Sequence, residues 1–159
     1  MPNEILNAGV LNQEILAFLR LDELDYTAAA AKFGKAALPF LSELINSNDE
    51  NLATKAAYLA GYIDDSTVKD VLQSAITNKF TTVRIAAAHG AQRLDAASGQ
   101  AVLDKALDDH DPGVVKIALK SAVQLKVDKN LKAKISKIST DFADGVVKAV
   151  AVDLLKKIN

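Results

Sequence analysis

A repeated spacing of apolar residues is the feature of this sequence that most limits its fold. Four similar segments begin at Leu41, Leu72, Leu103 and Ile135, which are spaced 31, 31 and 32 residues apart. In each segment an apolar residue follows after 11 positions, and small or apolar residues follow it at four-residue intervals. A period of this length indicates structural units that stack on one another, because one unit alone cannot bury its apolar faces.

Each unit is predicted to contain two helices, A and B. Helix A has apolar residues three and four positions apart, as in Leu41, Leu44 and Ile45, which is the period of one helix face. A polar turn then leads into helix B. In the third unit this turn ends in Asp111 and Pro112, an acidic N-cap followed by proline at the first helical position.

The buried face of helix B is predicted from three columns of residues. Positions in this helix are given as offsets from the column Leu52, Val83, Val114 and Val146, which is offset 0. The next columns, at offsets 4 and 8, are mostly alanine, as in Ala56, Ala87 and Ala118 and in Ala60, Ala91 and Ala122. Alanine at these positions allows neighbouring helices to approach closely.

The composition agrees with a helical protein that lacks disulfides. The 159 residues include 27 alanines but only 7 glycines and 3 prolines, a balance that favours helix over a β-sandwich or barrel. The absence of cysteine excludes disulfides, thiolate metal sites and a cysteine nucleophile. There is no apolar run long enough to span a membrane and no signal peptide pattern, so we expect a cytoplasmic protein without a membrane partner.

These patterns predict an all-α fold, an α-α superhelix of about five antiparallel helix pairs. We expect a single domain over residues 1–159, with the A helices on the convex side and the B helices on the concave side. A divergent N-terminal capping unit is predicted over 3–33, with Leu24 placed at offset 0. The repeats that follow are predicted at 34–65, 66–97, 98–127 and 128–159.

Two segments carry a family resemblance. AAKFGKAALPFLSELINSNDENLATKAAYLAGYI and ALDDHDPGVVKIALKSAVQL resemble HEAT repeats. The short, alanine-rich unit is similar to the phycobilisome-lyase type of HEAT-like repeat. The resemblance covers residues 34–158 and implies a solenoid of stacked helix pairs. Such repeats occur in scaffolds, adaptors, chromophore lyases and a few metalloenzymes.

The sequence offers no catalytic or metal-binding motif. The metal-binding members that this chain resembles use His-Glu pairs, whereas His89 is followed by Gly90 and His110 by Asp111. No phosphate-binding loop, nucleophile elbow or zinc-protease motif occurs. We therefore predict no catalytic residues, no metal and no cofactor.

The candidate binding surface is the face of the B helices that points away from the core. This face falls at offsets 2, 6 and 9, with offset 10 on its flank. Tyrosine and arginine, which are favoured in binding surfaces, are concentrated there. An alternative interpretation is that the tyrosines merely fill the groove between adjacent helices. The predicted concave-groove residues are Tyr26, Tyr58, Tyr62, Ile85, His89, Arg93, Lys116, Lys120, Gln124 and Lys148.

Charge is distributed unevenly along the chain. Residues 1–65 contain 4 basic and 10 acidic side chains, a net of −6, and residues 66–159 contain 15 basic and 10 acidic ones, a net of +5. A groove with tyrosines in its first half and cations in its second half suits a protein or peptide with apolar and acidic segments. Opposite charge at the two ends also suggests weak head-to-tail association of copies.

The sequence favours a non-catalytic scaffold or adaptor that binds a protein or peptide on its concave face. An alternative is an accessory or lyase-like subunit that handles a bilin chromophore, as the family resemblance suggests. Nucleic-acid binding ranks below both, because the overall charge is −1 and the N-terminal half is acidic.

Overall fold

The structure is a computed structural model. It describes the backbone of residues 2–158 and the side chains of residues 9–158. The described residues form helices and turns and no strand. The helices are α1 (Pro2–Leu19), α2 (Tyr26–Phe33), α3 (Leu38–Ile45), α4 (Glu50–Tyr62), α5 (Val68–Ala75), α6 (Thr81–Gly90), α7 (Ala96–Ala106), α8 (Pro112–Leu125), α9 (Lys132–Asp141) and α10 (Gly145–Ile158).

The helices are arranged as successive pairs in a solenoid. The odd-numbered helices are the A helices and the even-numbered ones are the B helices, and the two members of a pair pack together. Short 3-10 turns at Gly34–Ala37, Ala91–Arg93 and Asp128–Leu131 join or extend the helices. Helix α7 begins at Ala96, two residues before the start of the unit drawn from the sequence at residue 98.

Aspartate side chains fix the starts of most B helices. Asp49 accepts a hydrogen bond from the Leu52 amide at the start of α4, and Asp111 accepts one from Val114 at the start of α8. The predicted N-cap at Asp111 is therefore confirmed, with Pro112 in the first helical position. Helix α6 differs, because its N-cap position is Phe80 and no side chain caps it.

The predicted core columns are largely buried. The A-helix column of Leu41, Leu72, Leu103 and Ile135 is completely buried. The alanines of the B helices at offsets 4 and 8 are also completely buried in the second, third and fourth pairs. This arrangement confirms the two-helix unit and explains its alanine content, since larger side chains there would push adjacent B helices apart.

The predicted register of the last pair is wrong by one residue. Val146 is 64% exposed, whereas Val147 is 2% exposed and receives the cap from Asp144. Val147 follows Ile135 by 12 positions, whereas the corresponding distance in the earlier pairs is 11, so offset 0 falls on Val147 instead of Val146. Ala151 then takes offset 4 and is completely buried, like Ala118 one repeat earlier.

The predicted register of the first pair is also wrong. Leu24 precedes helix α2, which starts at Tyr26 with Asp25 as its N-cap. The buried residues of this short helix are Ala29, Ala30 and Phe33. Leu24 is therefore a loop residue, and Tyr26 opens the helix instead of lying within it.

Helices α4 and α6 approach each other through two glycines. A Cβ atom placed on Gly61 would lie 3.0 Å from the Gly90 Cα atom, and one placed on Gly90 would lie 3.2 Å from the Gly61 Cα atom. Any residue other than glycine at either position would require one of the two helices to shift. Of the contacts between successive B helices, this one is the most extensive, and that between α8 and α10 is the least.

None of the helices in the described part of the chain combines the length and apolar character needed to cross a membrane.

Candidate functional site

Aromatic side chains from three successive B helices meet on one surface. Tyr26 from α2, Tyr58 and Tyr62 from α4, and His89 from α6 are joined by ring contacts, and Arg93 follows α6 in a 3-10 turn. We call these five residues the tyrosine cluster. Their convergence follows from the offsets, because Tyr58 and His89 share offset 6 and Tyr62 and Arg93 share offset 10.

The rings of the tyrosine cluster pack in defined geometries. Tyr26 stacks on Tyr62 with ring centroids 5.7 Å apart, and its centroid lies 5.9 Å from that of Tyr58. Tyr58 meets the His89 ring edge to face at 5.7 Å. Phe18 of α1 extends the cluster, with its centroid 6.1 Å from Tyr26. Edge-to-face and offset contacts at these distances are favourable, so the rings hold each other in place.

Arg93 is oriented by an aromatic ring instead of a carboxylate. Its guanidinium carbon lies 3.6 Å from the centroid of the Tyr62 ring, a cation–π contact. Arg93 is exposed and makes no hydrogen bond or ion pair with any other described residue. The stacked guanidinium therefore keeps its N–H groups available for a planar anion such as a carboxylate.

The hydroxyls of Tyr26 and Tyr58 are held in the protonated form. Burial, together with neighbouring Tyr58 and Tyr62, raises the pKa of Tyr26 to about 12. Burial and neighbouring Tyr62 also raise the pKa of Tyr58 above its ordinary value. Neither phenol ionises near neutral pH, so both can donate a hydrogen bond to a ligand.

His89 is the half-buried end of the cluster. Its Nδ1 atom is buried and has no hydrogen-bond partner, while its Nε2 atom lies 3.3 Å from Gln92 Nε2. Burial, and then the charge of Arg93, lowers the pKa of His89 below its ordinary value. The imidazole is therefore neutral at pH 7, and it contributes a ring and a polar edge instead of a charge.

The cationic half of the predicted groove is more open. Lys120 is exposed, Lys116 and Ile85 are partly buried, and Gln124 is exposed. Neither lysine forms an ion pair within the described part of the chain. These residues share the concave offsets with the tyrosine cluster, but no ring contact, hydrogen bond or ion pair joins them to it.

Lys148 does not belong to the predicted groove row. With offset 0 on Val147, Lys148 occupies offset 1. The residues at offset 1 in the second and fourth pairs, Ala53 and Val115, are completely buried. The equivalent of Lys116 in the last pair is Ala149, and the equivalent of Lys120 is Asp153. The row at offset 6 therefore runs from a tyrosine through a histidine and a lysine to an aspartate.

Tyr26 reaches the predicted surface for a different reason from the one expected. The sequence placed it at offset 2 of a full-length B helix, whereas it is the first residue of the short helix α2. Its ring nevertheless contacts both Tyr58 and Tyr62. The membership of Tyr26 in the cluster is thus observed, although the alignment that predicted it is wrong.

Three residues near the predicted binding surface were not identified by the sequence analysis. Gln92 and Val123 both occupy offset 9 of their helices, a position on the same face that was not included in the predicted set. Val123 is 43% exposed, and Gln92 contacts His89. Phe18 lies on α1, outside the repeat pattern, so no column of the alignment could have identified it.

Among the residues whose side chains are described, no group of three His, Cys, Asp or Glu side chains is arranged to hold a metal ion. The acidic turn before α8 has structural partners instead. Asp109 pairs with Arg84 at 2.8 Å, and Asp111 caps α8. Asp108 pairs with Lys134 of the next repeat at 2.7 Å.

The stacked helix pairs define an α-solenoid. The family described as HEAT repeats matches residues 37–124, which is more than half of the chain. The chain belongs to the HEAT repeat family. HEAT repeats generally serve as protein-interaction scaffolds. A search of curated proteins finds no significant match.

Proposed function

We propose that this protein is a non-catalytic scaffold or adaptor that binds a protein or peptide on the concave face of its B helices. The observation that carries this proposal is the tyrosine cluster. It presents half-buried rings, protonated hydroxyls and an unpaired arginine on one surface. Tyrosine and arginine are the residues that most often contribute strongly to binding at protein interfaces.

The charges beside the cluster favour a partner with acidic residues. Arg93, Lys116 and Lys120 lie on the same face and have no carboxylate partner within the described structure. Carboxylates of a partner would form ion pairs with these cations, and an apolar side chain of the partner would cover the tyrosine rings. The proposed partner therefore combines an apolar segment with an acidic one.

Capture of partners from an extract of the source organism tests this function. We expect the double variant Arg93→Ala with Lys120→Ala to lose partners that the wild-type protein retains. The matched control is Lys69→Ala with Lys105→Ala, which removes the same charge from exposed positions on the A helices α5 and α7. Equal partner loss in both double variants would indicate a nonspecific effect of charge and contradict a concave binding site.

A further inference from the structure

The tyrosine cluster contains several hydrogen-bond donors without partners. The hydroxyls of Tyr26, Tyr58 and Tyr62 and the guanidinium of Arg93 make no hydrogen bond to another described residue. Tyr26 and Tyr58 keep their protons because burial and the neighbouring tyrosines raise the pKa of Tyr26 to about 12 and raise the pKa of Tyr58 above its ordinary value. The surface therefore offers donors next to half-buried rings.

This set of donors distinguishes between two forms of peptide. A helical ligand uses its own carbonyl groups internally, except in its last turn. An extended ligand leaves its carbonyls available along its length, particularly where it contains proline. The donors of the tyrosine cluster thus favour an extended segment that runs across the B helices.

The spacing of the B helices sets the register of such a segment. Packed helices lie about 8–10 Å apart, and an extended chain advances about 3.3 Å per residue. Each B helix therefore corresponds to about three residues of ligand. Arg93 follows α6, one B helix beyond Tyr58, and Lys120 lies on α8, two B helices beyond it.

We propose that the groove binds an extended segment with an apolar residue on the rings of Tyr26 and Tyr58 and carboxylates about three and about six residues further along. Arg93 binds the nearer carboxylate and Lys120 the farther one. This register rests on the proposed function and adds the conformation and spacing of the bound segment.

Fluorescence anisotropy with synthetic peptides tests the register. The reference peptide has a phenylalanine flanked by prolines in a serine and glycine background, with aspartates about three and six residues later. A second peptide carries the same aspartates directly beside the phenylalanine, and a third replaces them with asparagines. Each peptide is made in both chain directions, and a single-stranded oligothymidine serves as a probe for nucleic acid.

We expect the reference peptide, in one direction, to bind at least about tenfold more tightly than the peptides with shifted or neutral residues, because only its aspartates would lie opposite both cations and form charge-assisted hydrogen bonds. Arg93→Gln should remove the preference for the nearer aspartate and Lys120→Gln that for the farther one, a coupling that double-mutant cycles measure. Lys69→Gln, on α5, should change neither preference.

Other outcomes would overturn the register. These are equal binding of all spacings, tighter binding of a helix-stapled peptide with the same side chains, or preferential binding of oligothymidine. If no peptide binds while the Arg93 and Lys120 double variant still loses its cellular partners, the register is wrong and the proposed function stands. If the peptides bind as expected but partner capture is unchanged in that variant, the proposed function is wrong.

Discussion

The guanidinium carbon of Arg93 lies 3.6 Å from the centroid of the Tyr62 ring, and Arg93 has no acidic partner among the residues whose side chains are described. Arg84, in the same repeat, is engaged very differently. It pairs with Asp109 at 2.8 Å and donates a hydrogen bond to the Asn78 carbonyl. One arginine of the repeat therefore stabilises the fold, and the other is the one that we propose binds a ligand.

Arg93→Ala should leave folding nearly intact and weaken partner binding strongly. The exposed cation–π contact contributes about 0.5–1 kcal/mol to stability, so the melting temperature should fall only slightly. Arg93→Lys keeps the charge but loses the planar fork, and it should restore partner capture only in part. Thermal melting and quantitative pull-down measure the two effects. Full capture by Arg93→Ala would show that the stacked guanidinium has no part in binding.

Arg84→Ala should destabilise the fold without a direct effect on the tyrosine cluster. Removal of its ion pair and its hydrogen bonds to carbonyls should cost about 1.5–3 kcal/mol, because both partners are mostly buried. The matched control is Lys32→Ala, whose contact with Glu14 is 4.0 Å long and exposed. That control should change stability by less than about 0.5 kcal/mol. Urea denaturation compares the two variants, and equal effects would contradict the structural role of Arg84.

Gly99→Ala should be clearly destabilising. A Cβ atom on Gly99 would lie 2.7 Å from the Ala91 carbonyl oxygen and 2.2 Å from Leu125 Cδ2. The necessary shift of α7 should cost about 1–3 kcal/mol, partly offset by the better helix propensity of alanine. Gly9→Ala in α1 has nothing within 4 Å of the new atom and should stabilise instead, by about 0.5–1 kcal/mol. In chemical denaturation, Gly99→Ala should lower the free energy of unfolding and Gly9→Ala should raise it.

The two adjacent valines of α10 test the register of the last pair. Val147→Ala removes two buried carbon atoms and should cost about 1.5–3 kcal/mol. Val146→Ala should have an effect within about 0.5 kcal/mol, since this side chain is 64% exposed. If Val146→Ala proves the more destabilising change in a thermal melt, offset 0 lies on Val146 after all.

The half-buried His89 should make stability depend on pH. Burial and Arg93 lower its pKa below the ordinary 6.5, so the folded state binds the proton less readily than the unfolded state. This contribution to stability is present above the ordinary pKa and is lost as the pH falls below about 6.5. His89→Gln should therefore reduce the loss of stability between about pH 7 and pH 5, as measured by urea denaturation. His110→Gln, at an exposed position, is the control, and an equal reduction there would contradict the assignment to His89.

The stacking of helix pairs could be predicted from the sequence because it rests on local periods. The buried alanine columns and the Asp111 cap follow from patterns within a few residues of each other. The register of α10, in which offset 0 falls on either Val146 or Val147, could not be predicted in this way. Val146 and Val147 are equally apolar, so the hydrophobic pattern does not distinguish them, and the position of the Asp144 cap decides between them.

The composition of the tyrosine cluster could be predicted in part, but its packing could not. Shared offsets placed Tyr58 beside His89, and the structure confirms that contact at 5.7 Å. The degree of burial depends on the distance between helices, which Gly61 and Gly90 set. Tyr58 and Tyr62 also pack against the core. Truncating either tyrosine would test folding and binding together.

The glycine contact between α4 and α6 separates two properties that are usually coupled in a binding site. Backbone atoms at Gly61 and Gly90 fix the distance between the helices, whereas Tyr58, Tyr62 and His89 supply the chemistry from other positions. If the cluster binds as we propose, substitutions in it should change the ligand that is recognised without changing the distance between the two helices. Through this division, a repeat architecture can acquire new specificities while its geometry stays constant.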